Sequence, residues 1–179
     1  WAYNSNGDWF WVDGVVKRQK MDANINDLFR LVQEYSPQAV GIEITGQQNA
    51  FIQWLQNEML ERNIWFNFAS SGKSSEPGIR PNQDKLSRFN LVVPWFRAGK
   101  FFFPEEMKLS NLMGIYLQQL RLVTESGIKG KDDCIDATSM LAYLKPWKPS
   151  QGSTPSSIND PMCDEEESIE SSGLSSYIV

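Results

Sequence analysis

Three carboxylates crowd into five residues at Asp132, Asp133 and Asp136, within the run Lys131-Asp132-Asp133-Cys134-Ile135-Asp136-Ala137. Gly127 and Gly130 break the chain just before them. Cys134, Ala137, Leu141 and Leu144 follow at helical spacing, so a helix begins at the cluster. On that helix Asp136 lies one turn from both Asp132 and Asp133. Carboxylates this close repel each other. Either a cation sits among them, or the helix N-terminus and water absorb their charge, as they do for acids in many first turns. A further carboxylate, Glu43, interrupts the apolar run Val40-Gly41-Ile42-Glu43-Ile44. A charge inside a buried strand is costly unless paired. Read alone, Glu43 points to solvent or meets a Lys or Arg. Read with the cluster, strand and helix carboxylates converge and hold a divalent metal. Two such ions about 4 Å apart can activate water and stabilise a leaving oxygen in phosphodiester hydrolysis. All-oxygen ligands select Mg²⁺ or Mn²⁺.

The elements that must position these groups follow from pattern. Residues 9–18, aromatic and β-branched, predict one or two strands with a hairpin turn at Asp13-Gly14, after a turn over residues 4–8. An amphipathic helix is predicted over 24–35, with Ile25, Leu28, Phe29 and Val32 inward and Asp22 or Asn24 as cap. A strand over 39–44 leads through Gly46 to a helix over 48–62, with Phe51, Ile52, Leu55 and Met59 inward, then to a strand over 64–68. Residues 70–81 read as a loop, and 83–98 as a helix kinked at Pro94 with Gly99 as its C-cap. A strand over 101–103 precedes a helix from 104–106 to about 124, then a turn at 127–130, then the acidic helix, ended by Pro146. This alternation suggests a mixed sheet with helices packed on it.

Composition narrows the chemistry further. The chain has 179 residues and no histidine, which excludes a Ser-His-Asp triad or a His-ligated zinc within it. Cys134 and Cys163 have no metal-ligand spacing, and no disulfide framework is expected. No apolar run reaches membrane-spanning length, and no signal peptide is evident. Gly72-Lys73-Ser74 lacks the first glycine of a phosphate loop, since position 67 is Asn. The net charge of −5 is concentrated at one end: residues 151–179 carry six acids and no Lys or Arg, leaving 17 basic and 16 acidic groups before them. Residues 150–179, rich in Ser, Pro and acid, are expected to be a flexible tail, and 1–149 the folded domain. That domain can present a basic face. Lys73 and Arg80 on the loop, Lys85, Arg88 and Arg97 on the helix after it, and Lys131 beside the acids are candidates to contact DNA phosphates.

These residues and their order resemble the C-terminal nuclease domain of tailed-bacteriophage large terminase subunits, across most of residues 9–145. The resemblance rests on three stretches. They are Val40-Gly41-Ile42-Glu43-Ile44-Thr45-Gly46-Gln47-Gln48; the segment 85–104 with Arg88, Pro94, Phe96, Gly99, Lys100 and Pro104; and Gly130-Lys131-Asp132-Asp133-Cys134-Ile135-Asp136-Ala137. It implies an α/β, RNase H-like fold, a mixed central sheet flanked by helices on both faces. It implies an endonuclease that cuts double-stranded DNA concatemers during genome packaging, in the cytoplasm of the infected bacterial host. Glu43 would be the second metal ligand of a two-metal Mg²⁺ or Mn²⁺ site and Asp133 the third, with Asp132 and Asp136 as partner ligands. Glu43, Asp132 and Asp133 would then be the catalytic carboxylates. An upstream ATPase domain, a portal and a small terminase subunit are the implied partners. Two features depart from the family: its first-strand aspartate would lie upstream of Trp1, and Lys131 stands where many relatives have histidine. The rival classes are another RNase H-like DNA enzyme, resolvase- or transposase-like, and a non-catalytic interaction domain with structural carboxylates.

Overall fold

Short paired segments and helices alternate along the chain, giving a mixed α/β architecture. The computed structural model describes residues 1–44, 49–70 and 76–147, all within one compact unit, Trp1–Trp147. The expected tail at 150–179 and the Gly72-Lys73-Ser74 run lie outside the described residues.

In chain order the elements are β1 (Ala2–Tyr3), β2 (Trp9–Phe10), α1 (Met21–Tyr35), α2 (Asn49–Arg62), α3 (Lys85–Asn90), α4 (Val93–Arg97), β3 (Phe101–Phe102), α5 (Asn111–Arg121), β4 (Val123–Thr124), β5 (Gly127–Ile128) and α6 (Asp133–Ser139). Strands β1 and β2 pair antiparallel and β2 pairs parallel with β3, forming one small mixed sheet. A second group of extended segments is held by parallel bridges: Val40 to Phe68, Glu43 to Ile79 and Ser70 to Gly78. Strands β4 and β5 form a separate hairpin. Among the described residues the strand pairing is therefore distributed over several short pieces.

Several expectations shift in informative ways. The hairpin forms around residues 4–8, where Gly7 adopts φ 81° and Asn4 bonds to Asp8, not at Asp13-Gly14. Asp13 instead accepts the Gly14 N–H through its own side chain. The helix expected over 83–98 divides into α3 and α4, because Pro94 enters as a first-turn residue of a new helix. The helix expected from 104 likewise splits into a 3-10 turn, Glu105–Met107, and α5, which Ser110 caps through the Met113 N–H. Helix α1 starts at Met21, with Lys20 at its N-cap and no side-chain cap bond. Part of the expected 70–81 loop is paired: Gly78 bridges Ser70, and Ile79 bridges Glu43. Gly78 sits at φ 95°, and a Cβ there would collide with Ile44, so only glycine lets this segment approach.

Three apolar clusters anchor these pieces. Ile25, Phe29 and Val32 of α1 meet Leu55 and Met59 of α2 and Phe66 of the extended segment between α2 and Phe68. The sequence expected these faces, and each such fully buried side chain contributes about 1.5–3 kcal/mol. Trp11, Met113, Tyr116 and Cys134 form a second cluster, and Phe89, Val92 and Ile135 a third. Helix α6 is thus clasped from two sides. Its buried face is Cys134, Ile135, Thr138 and Ser139, whereas Ala137, expected inward, is exposed.

Tyr116 illustrates how tightly this region is closed. Burial pushes its hydroxyl up to about 12, and the phenol shares a 3.2 Å hydrogen bond with Thr138. In the unfolded chain the phenol ionises near its ordinary value of 10.0, while the folded chain keeps its proton. Stability is therefore lost as pH rises from about 10 to about 12, by about 2–3 kcal/mol. Urea unfolding of the wild type and Tyr116→Phe across that range should show this alkaline loss in the wild type and a flatter profile in the variant.

Candidate functional site

Three elements aim charged side chains at one place. The first is the extended segment 40–44. The Ile79 N–H donates to the Ile42 carbonyl at 2.8 Å and the Ile44 N–H donates to the Ile79 carbonyl at 2.8 Å, which fixes the register. Ile44 is buried, so Glu43 points to the opposite face of the strand. The second element is α3, capped by Asp84, whose carboxylate accepts from the Ser87 N–H at 3.0 Å and the Ser87 hydroxyl at 2.6 Å. These bonds hold the Asp84 carboxyl below the ordinary aspartate value. Lys85 and Arg88, three residues apart on α3, project from one side of it. The third is α6, where Asp136 N–H donates to the Asp132 carbonyl at 2.8 Å and sets the two acids one turn apart. The Cys134 N–H at its start donates to the buried side-chain oxygen of Gln119 at 2.8 Å, which ties α6 to α5.

Arg88 is the hub. Its Nη1 donates to Glu43 Oε1 at 2.7 Å and its Nη2 to Asp136 Oδ1 at 3.0 Å. The residue is 3% exposed. The other oxygen of Asp136 accepts from Lys85 Nζ at 2.7 Å, and the same ammonium reaches Asp132 Oδ2 at 2.6 Å. Hydrogen bonds to Asp132 first, then to Asp136, hold the Lys85 ammonium above the ordinary lysine value. Glu43, Arg88, Asp136, Lys85 and Asp132 thus form one continuous chain of charge-assisted bonds.

No protein-family model matches this chain, and no curated protein or solved structure matches it significantly.

The sequence expected Glu43 to converge with the acidic helix, and Glu43 and Asp136 do meet, on opposite arms of one guanidinium. Glu43 also meets an arginine, the other expectation for that residue. Asp132 belongs to the group through Lys85. Asp133, expected as a principal ligand, is exposed at the first residue of α6 and lies outside the ion-paired chain. Arg88, expected among the DNA-contacting groups, is buried and turned to carboxylates rather than solvent, because two acids would otherwise be left uncompensated. Lys85 keeps a half-exposed side chain while engaging both aspartates. Arg97 at the end of α4 and Lys131 just before α6 are exposed. Arg80 pairs with Glu76 at 3.2 Å, and Lys73 lies outside the described residues.

Sequence reasoning offered Glu43 a Lys or Arg partner but did not identify Arg88, nor Lys85 as the partner of the aspartates. The signal was present: a carboxylate inside an apolar strand requires a cation, and Lys85 and Arg88 carry two on one helical face. Among the described residues no three acidic, Cys or His side chains stand close enough to enclose an ion. The donor chemistry nonetheless suits a hard cation. The Lys85 ammonium bridges two of these carboxylate oxygens at 2.6 and 2.7 Å.

Cys134 supplies a further check on this packing. Burial, then the neighbouring charge of Asp133, pushes its thiol above the ordinary cysteine value. With so little thiolate, iodoacetamide should leave Cys134 unmodified in the folded protein and label it on unfolding, as read by mass spectrometry.

Proposed function

We propose that this chain is an RNase H-like nuclease domain of the large-terminase type, a divalent-cation-dependent endonuclease that hydrolyses double-stranded DNA. In this reading it cuts DNA concatemers during viral genome packaging in the infected bacterial cell. An upstream ATPase domain, a portal and a small terminase subunit act with it. The observation that carries the proposal is the meeting of Glu43 and Asp136 on Arg88, from 45 residues before it and 48 residues after it. Folding thereby brings strand and helix carboxylates to one place, which a hydrolytic centre of this kind requires.

In this reading Asp132 and Asp136 would hold Mg²⁺ or Mn²⁺, with Glu43 joined to Asp136 through Arg88 and Asp133 exposed to solvent. Bound there, a hard divalent ion supplies Lewis-acid charge to phosphodiester hydrolysis. The chain's own residues do the rest. Arg88 fixes the separation of Glu43 and Asp136 by bonding to both. The anchoring of α6 by Gln119 fixes the aspartates in turn. The exposed Arg97 and Lys131 are suited to phosphate contacts, which weaken as salt rises.

The pairing of Glu43 with Arg88 supports one other reading, a non-catalytic interaction domain whose carboxylates are structural. Supercoiled plasmid distinguishes the two. The nuclease reading expects nicking and linearisation with Mn²⁺ or Mg²⁺, none with EDTA, and none from Glu43→Ala. No cutting under any of these conditions supports the interaction domain.

A further inference from the structure

We draw no further inference here: the strongest candidate, the face of the β1–β2–β3 sheet on which the exposed Phe10 and Phe102 rings stack with centroids 4.9 Å apart, carries nothing because nothing in the structure shows what covers it.

Discussion

Arg88→Met is expected to lower stability by about 3 kcal/mol, a fall in melting temperature of roughly 6–12 °C for a domain of this size. The guanidinium links Glu43 to Asp136, at 2.7 and 3.0 Å. Methionine fills much of the same space but leaves two carboxylates facing each other, with Asp136 only 16% exposed in its side chain. Removing one partner of a buried ion pair costs about 3–5 kcal/mol, and the lower end applies here because the Glu43 side chain is 34% exposed and partly screened. Neutralising the stranded partners should recover much of the loss. The triple variant Arg88→Met, Glu43→Gln, Asp136→Asn is expected to melt well above Arg88→Met alone. Differential scanning calorimetry of the three proteins checks this. A melting temperature unchanged within 2 °C in Arg88→Met would show that the ion-paired hub contributes nothing to the fold.

Asp132→Asn is expected to do the opposite: little change in stability and a large loss of cutting. The Asp132 carboxylate pairs with Lys85, whose side chain is half exposed, and such partly solvated pairs are worth about 1 kcal/mol or less. Its carboxylate is nonetheless one of the two oxygen donors that the ammonium bridges. Losing one electrostatic group at a reacting centre costs on the order of 100-fold or more in rate. Initial rates of plasmid nicking in Mn²⁺, compared with the wild type at matched melting temperature, measure it. Asp133→Asn should lose less, because Asp133 lies outside the ion-paired group. A larger effect at Asp133 than at Asp132 would mean that the ion sits on the outer side of α6.

Helical periodicity made much of the scaffold legible. The inward faces of α1 and α2 followed from apolar residues recurring every three or four positions, and burial of Ile25, Phe29, Leu55 and Met59 matches that pattern. The expected helix ends at 35 and 62 match the structure, and the residues that follow, Ser36 and Asn63, adopt positive φ. Strand pairing was less legible, because pairing depends on distant partners. Nothing local distinguishes the wrong turn at Asp13-Gly14 from the real hairpin at residues 4–8. The Gly78-Ile79 segment looked like loop by composition, yet it forms the backbone bonds that orient Glu43. At the site, the sequence made the convergence of acids foreseeable and left the cations unassigned. Lys85 and Arg88 look alike on a helix, and only burial separates the arginine locked inside from the lysine at the rim.

The account depends on carboxylates from the 40–44 segment and from α6 sharing one cation-binding place. Anomalous diffraction at the manganese edge, from crystals of this chain soaked in Mn²⁺, tests that most directly. The nuclease reading expects a manganese peak at the Asp132 and Asp136 carboxylates, with Glu43 and Asp136 still joined through Arg88. A map with Lys85 still bridging the aspartates and manganese bound elsewhere would contradict it.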